Sequence, residues 1–433
     1  MIKFKHILWV VSLFVVLALA WIGYKLIQPV GSEPTAGISG APADISDPVK
    51  RGEYLTRAAD CVACHTATGG APFAGGFPIQ LPFGTIYGSN ITADKETGIG
   101  NWTDEQFINA VRKGISPNGN LYPAMPYTSY TGMSRDDVLA VKAYLMTLPP
   151  VNKPTPENVL PFPFNQRWGM KFWNLAFFTD QRFSSDPSKD AEWNRGAYLA
   201  TALGHCGECH TPRNIGFAVI QSKALSGENI QGWFAGNITP DAETGIGSWT
   251  EKQLSQFLAE GHAAGRSTAS GPMAEAVENS LQYLTPADNA ALVKYLRNIE
   301  PIKQPSQSVV NTSPKDAINS SAILPAEGPI QPGQQLFAND CSGCHQWNGI
   351  GRQSDYANLA GSSAVNDPQG RSVVQAILKG TKLKIGSREY FMPDFGNKYS
   401  DQEVADVANY IIKHFGDKTG QVTTEQVASQ RKQ

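Results

Sequence analysis

The sequence predicts an all-α protein of three tandem small domains behind an N-terminal apolar helix. Three observations predict it. The pentapeptide Cys-x-x-Cys-His occurs as Cys61-Val62-Ala63-Cys64-His65, as Cys206-Gly207-Glu208-Cys209-His210 and as Cys341-Ser342-Gly343-Cys344-His345, and these copies use all 6 cysteines. Each copy stands in the same succession of patterns: a short helix before it, then a loop, a second helix, a methionine loop and a capped last helix. The first two units also echo each other nearly letter for letter, the mark of an internal duplication.

Two cysteines followed directly by a histidine make the attachment site of a c-type haem. The thiols add across the porphyrin vinyl groups and the histidine ligates iron. Cys61, Cys64, Cys206, Cys209, Cys341 and Cys344 are therefore expected to carry three covalently bound haem c groups, with His65, His210 and His345 as axial ligands. Competing chemistries fit less well. A zinc site needs four ligands, usually two close Cys pairs or one pair with two spaced histidines, whereas each pair here stands alone with one His. A thioredoxin-type redox pair needs a βαβ setting, and structural disulfides need no histidine.

The chain has 433 residues, enough for two to four domains that each bury a core. Its 36 basic and 38 acidic side chains nearly cancel, which argues against a nucleic-acid partner. A low charged fraction of 17% with 41 Gly and 29 Pro suits loop-rich domains wrapped around a large apolar cofactor.

Residues 1–28 read as a signal or anchor segment. After Lys3 and Lys5 an apolar run extends from Ile7 to Gly23, close to the roughly 20 residues of a spanning helix. Ala18-Leu19-Ala20 resembles a cleavage site, but apolar Trp21-Ile22-Gly23 follows it, which favours an anchor over a cleaved signal. Either way the basic start stays inside and the remainder is exported, to the periplasmic face of a bacterial inner membrane.

Residues 29–47 read as a tether of Gly, Ser, Pro and Ala. The first unit, residues 48–150, opens on a helix with Tyr54, Leu55 and Ala58 on its buried face. A second helix is capped by Thr103 and stopped by Gly114; a third starts at Ser134, with Asp137 as partner in a capping-box-like pair, and runs to Pro149. Between them, in Tyr122-Pro123-Ala124-Met125-Pro126-Tyr127, a methionine braced by two prolines presents its sulfur in one direction. Met125 is the expected sixth iron ligand; Met133, unbraced, is the competitor, and a core role is the plain alternative for either.

Residues 151–192 form a connector rich in Pro, Phe and Trp. Its rings either pack on the neighbouring units or form a surface that docks a partner subunit or the membrane. The second unit, residues 193–300, repeats the first: Arg195-Gly196-Ala197-Tyr198-Leu199 echoes Arg51-Gly52-Glu53-Tyr54-Leu55, and the loop from Asn237-Ile238-Thr239 to Trp249-Thr250 echoes that from Asn90-Ile91-Thr92 to Trp102-Thr103. These loops read as tight structural turns rather than propionate ligands. In the same register Met273 answers Met125, ahead of His205 and His262. Residues 301–328 are a polar linker. The third unit, residues 329–415, supplies Met392 in Phe391-Met392-Pro393 and caps its last helix with Ser400 and Glu403; residues 416–433 read as a frayed polar tail.

Helix, attachment motif, loop, helix, methionine loop and capped helix, three times over, resemble the class I cytochrome c domain. Beyond that, residues 49–414 resemble the triheme cytochrome c subunit of bacterial membrane-bound alcohol, aldehyde, gluconate and sorbitol dehydrogenases. The marks are Asn90-Ile91-Thr92, Thr97-Gly98-Ile99-Gly100 with Trp102-Thr103, Leu121-Tyr122-Pro123-Ala124-Met125-Pro126-Tyr127, and their second-unit echoes. The resemblance implies a large partner subunit of PQQ, flavin or molybdenum type that oxidises the substrate, room for a small third subunit, and delivery of electrons to ubiquinone at the membrane. The second unit departs from the pattern: Ser270-Gly271-Pro272-Met273-Ala274 lacks the Pro-Tyr after its methionine. Iron held by His and Met has no open position for O₂ or peroxide, and no nucleophile or acid–base constellation is recognisable, so electron transfer is expected. The alternatives are a peroxidase-like enzyme with one open haem in the second unit, the cytochrome subunit of a molybdenum hydroxylase, and a freestanding carrier.

Overall fold

The computed structural model describes residues 9, 12, 13, 16, 40–304, 330–352, 354–367, 369–416 and 418–432. All but four residues of the expected anchor, and most of the polar linker, lie outside them. Among the described residues no helix is long and apolar enough to cross a membrane.

The first unit contains α1 (Pro48–Ala58), α2 (Cys61–His65), α3 (Asp104–Lys113), α4 (Tyr127–Tyr130) and α5 (Arg135–Leu145). Local chemistry sets their ends. Asp47 accepts from the Lys50 amide and Pro48 opens α1; Thr103 and Gln106 form a full capping box on α3, which Gly114 ends in the left-handed region at φ 65°. After the connector helix α6 (Met170–Phe177), the second unit repeats this order as α7 (Ala191–Tyr198), α8 (Gly207–His210), α9 (Glu251–Glu260), α10 (Pro272–Asn279) and α11 (Pro286–Arg297). Its α9 carries the matching capping box, Thr250 with Gln253. The third unit comprises α12 (Pro332–Leu336), α13 (Ser342–His345), α14 (Arg371–Lys379) and α15 (Asp401–Gly416).

One crossing recurs in all three units. A Cβ on Gly52 would lie 1.8 Å from the Ala140 carbonyl oxygen, one on Gly196 1.9 Å from that of Ala291, and one on Gly333 2.1 Å from that of Asp406. The first helix of each unit thus touches the backbone of the last, an approach no side chain permits. A tyrosine, Tyr144, Tyr295 or Tyr410, closes each crossing one turn on. The glycine of the repeated Arg-Gly in the first two units follows from this contact.

The all-α expectation needs amending. Among the described residues five two-stranded antiparallel hairpins join the helices: β1 (Pro78–Leu81) with β2 (Gly84–Tyr87), β3 (Ile115–Ser116) with β4 (Gly119–Asn120), β5 (Glu228–Ile230) with β6 (Trp233–Ala235), β7 (His262–Ala263) with β8 (Ser267–Thr268), and β9 (Thr381–Ile385) with β10 (Arg388–Met392). They occupy the long loops that follow the first two attachment motifs, that precede Met125 and Met273, and that end on Met392, where backbone polar groups need partners.

Two further expectations are corrected. The tail is folded: Thr423 caps α16 (Thr424–Arg431), Val422 and Val427 are buried in the third unit's core, and Arg431 donates to Asp401 and to the Tyr399 carbonyl. The end of the tether is also docked, with Gly40 and Ala41 buried beside Leu55, Tyr198 and Leu203. The connector divides. Phe164 stacks on Phe83 at 4.2 Å, and Trp173 and Phe178 meet Tyr127 edge-on. Phe162, Trp168 and Phe172 stay 79%, 61% and 65% exposed, so packing accounts for only part of its aromatic content.

One hydrophobic cluster runs through the first two units, joining Leu55, Tyr130, Val138, Tyr198, Leu203 and Leu292. The third unit has its own, around Phe337, Val374, Val404, Val407 and Ile412. A smaller cluster of Ala274, Val277 and Leu383 ties the second unit to the third, which puts the second unit in the middle.

Candidate haem sites

Each attachment motif is a helix of one turn or slightly more, and each places its histidine alike. His65 Nδ1 lies 2.7 Å from the Ser89 carbonyl oxygen, His210 Nδ1 2.7 Å from that of Gly236, and His345 Nδ1 2.7 Å from that of Ala357. A carbonyl only accepts, so in all three rings Nδ1 carries the proton and Nε2 keeps a bare lone pair. Burial drives the pKa of all three histidines down, partly opposed by the carbonyl bond. A neutral imidazole with its tautomer fixed by a backbone oxygen is what a metal-ligating histidine requires.

Above His65 opens a cavity of about 500 Å³. Cys61, Cys64 and His65 line it together with apolar Ile86, Ile91, Ile99, Trp102, Phe107 and Leu121. Met125 and Met133 both face the same space. Met133 is enclosed in the core at 2% exposure, while Met125 is half-buried at the cavity wall, in a turn held by its amide bond to the Tyr122 carbonyl. Burial pushes the Cys61 and Cys64 thiols up to about 12, with Asp60 adding to the rise. Burial likewise pushes Cys206 and Cys209 up to about 11 and Cys341 to about 12. Burial of this kind favours an uncharged sulfur over a thiolate at these five positions. An uncharged thioether is at home there.

A sequence profile described as "Cytochrome c" matches residues 49–149 and 330–414. The chain is 38% identical to a fructose dehydrogenase cytochrome subunit of Gluconobacter japonicus, over 92% of this chain and 85% of that protein. It is 39% identical to a gluconate 2-dehydrogenase cytochrome c subunit of Pantoea cypripedii, over 89% of each, and 35% identical to the cytochrome c subunit of an alcohol dehydrogenase (quinone) of Gluconobacter oxydans, over 91% and 84%. The chain belongs to the cytochrome c family, among the dehydrogenase cytochrome subunits.

The profile covers the first and third units of this cytochrome; the second repeats the first in sequence. Its Met273 sits in the first turn of α10, behind Gly271 at φ 53°, half-buried against Ala274, Val277 and the third unit's Leu383. Met392 ends β10 opposite Thr381. The competing histidines face neighbouring units: His205 meets Tyr130 of the first unit edge-on, and His262 lies 4.9 Å from the Tyr356 ring of the third with Nδ1 on Thr268.

The repeated Asn-Thr loops are tight hydrogen-bonded turns. Asn90 donates to Thr97 and to the Val151 carbonyl and accepts from the Thr92 hydroxyl; Asn237 does the same with Thr244, the Ile302 carbonyl and Thr239. The cap expected from Asp137 is corrected. Ser134 Oγ does accept from the Asp137 amide, but the Asp137 carboxylate turns away, and the Ser134 amide donates to the Tyr198 hydroxyl instead. The contacts between units made by Asp137, Asp288, Tyr54 and Tyr198 are what sequence reasoning missed. The echo of Tyr54 in Tyr198 was the available signal.

Proposed function

We propose that the chain is a triheme c-type cytochrome subunit relaying electrons from a dehydrogenase's catalytic subunit to ubiquinone at the periplasmic face of the inner membrane. The observation that carries this reading is the bond from Nδ1 to a backbone carbonyl, repeated at each attachment motif. Cys61 with Cys64, Cys206 with Cys209 and Cys341 with Cys344 would hold three haem c groups. His65, His210 and His345 would ligate iron through Nε2, and Met125, Met273 and Met392 from the opposite side. When bound, haem ligated on both faces supplies one-electron exchange and has no position for O₂ or peroxide.

The residues of the chain contribute placement. The carbonyls of Ser89, Gly236 and Ala357 hold the imidazoles neutral and oriented, and the apolar wall around Ile91, Trp102 and Phe107 keeps water away, which favours the less charged state of the iron. The partner that oxidises the substrate is of PQQ, flavin or molybdenum type, and the relatives named for fructose, gluconate and alcohol point to small polyols, sugars or sugar acids. Residues 1–28 would hold the complex to the membrane, with the unit boundaries at residues 48–150, 193–300 and 329–415. The test is anaerobic mixing of the purified holoprotein with fructose, gluconate or ethanol, alone and then with its co-purified large subunit. Reduction of the chain only in the second case is expected; substrate oxidation by the isolated chain would overturn the reading.

A further inference from the structure

The first two units are locked by a reciprocal pair of contacts. In α5, Asp137 is fully buried; its Oδ1 accepts from Arg51 of its own unit (Nη2 at 2.5 Å), and its Oδ2 accepts from the Tyr198 hydroxyl of the second unit at 2.7 Å. In α11, Asp288 accepts from its own unit's Arg195 (Nε at 2.8 Å, Nη2 at 2.7 Å) and from the Tyr54 hydroxyl of the first unit. Each tyrosine also caps the other unit's last helix: Tyr198 accepts from the Ser134 amide at 3.1 Å and Tyr54 from the Thr285 amide at 3.3 Å. Residue i of one unit meets j of the other while i of the other meets j of the first, the pattern of a two-fold interface. Gly40 stitches the two halves, donating to Asp137 and accepting from Arg195.

This lock sits beside both attachment motifs. Tyr130, just after the first methionine loop, donates to the Ala59 carbonyl ahead of Cys61, and Ser280 of the second unit donates to that of Ala58. Glu208, between Cys206 and Cys209, accepts from Thr128 and Ser129 of the first unit at 2.8 and 3.2 Å.

We infer that Tyr54–Asp288 and Tyr198–Asp137 are positioning contacts that hold the first two haem-attachment edges face to face, making those two haems a directly exchanging pair. The inference rests on the triheme reading above. Exchange within the pair moves one electron, oxidising one centre as the other is reduced, with no bond made or broken. The four residues act through the spacing of the units. Buried Tyr–carboxylate bonds suit that task because a carboxylate left without its donors is strongly destabilised, so the geometry tolerates little drift.

The test uses the full-length holoprotein with its haem content counted first. In the wild type, pulsed electron paramagnetic resonance of the oxidised protein is expected to read strong dipolar coupling between the first two centres. In the double variant Tyr54→Phe/Tyr198→Phe the coupling distribution is expected to broaden, and electron exchange within the pair, followed after photoreduction, to slow several-fold. Tyr410→Phe in the third unit serves as the control and should leave both unchanged. Fewer than three haems in the wild type would sink the triheme reading itself. Three haems without coupling between the first two, or a double variant with wild-type coupling and exchange, would overturn the positioning inference. If the double variant does not assemble, the wild-type coupling decides.

Discussion

His65, His210 and His345 each donate from Nδ1 to a peptide carbonyl, so no side-chain substitution at the acceptor can remove that bond without moving the loop. The opposite ligand is easier to test. Met125→Leu is expected to remove about one third of the far-red sulfur-to-iron absorption of the oxidised protein, because one of the three proposed thioether ligands would be lost. Met133→Leu should leave that band intact and shift stability by less than about 1.5 kcal/mol, as an isosteric core exchange does. The reverse result would exchange the roles of the two methionines. Asp60 offers a pH test. It stands in the left-handed region at φ 52° directly before Cys61, and burial first, then Glu275, raises its carboxyl well above the usual range. A carboxyl whose native pKa exceeds its unfolded value weakens the fold as pH rises from about 4 through the native value, by up to about 1.4 kcal/mol per pH unit. Asp60→Asn, which keeps a side chain tolerant of that backbone, should therefore be more stable than wild type at pH 8 and equal to it at low pH, read by denaturant unfolding at the two pH values. At this scale the cysteines and histidines were legible because their spacing is the chemistry. The contacts of Asp137, Asp288 and the two tyrosines were not, since bonds between units leave no local pattern.

Among the elements, helices with strong caps were readable: Thr103 with Gln106, Thr250 with Gln253 and Ser400 with Glu403 announce their own starts. The hairpins were not, because strands of 2–5 residues alternate too briefly to show a period. The helix α16 escaped because it hides only Val427 and Gln430 among polar neighbours. Val427→Ala should lower the stability of the third unit by about 2 kcal/mol, read as earlier denaturant loss of one haem's native spectrum; an unchanged midpoint would restore the frayed tail. The glycine crossings set two effects against each other. Gly333→Ala gains up to about 1 kcal/mol of helix propensity, but its Cβ would stand 2.1 Å from a backbone oxygen that cannot swing aside. Overpacking of that kind costs about 1–3 kcal/mol, so net destabilisation is expected, and the same sign at Gly52 and Gly196.

Across the whole molecule the order of units along the chain is also their order in space, with the second unit packed on the first through the shared core and on the third through Leu383. The sequence repeat made the first two units recognisable as copies, yet nothing in it indicated that they pair with two-fold character. That arrangement arises because Arg51 and Arg195, Tyr54 and Tyr198 were duplicated together with the helices that carry Asp137 and Asp288. A relay through three joined units follows only if every unit carries a working haem. Spectroelectrochemical titration of the purified, full-length protein, counting electrons per polypeptide against the c-type absorption band, tests this most directly. Uptake of three electrons per chain, all at low-spin centres, is the result expected; two or fewer, or a high-spin centre among them, would contradict it.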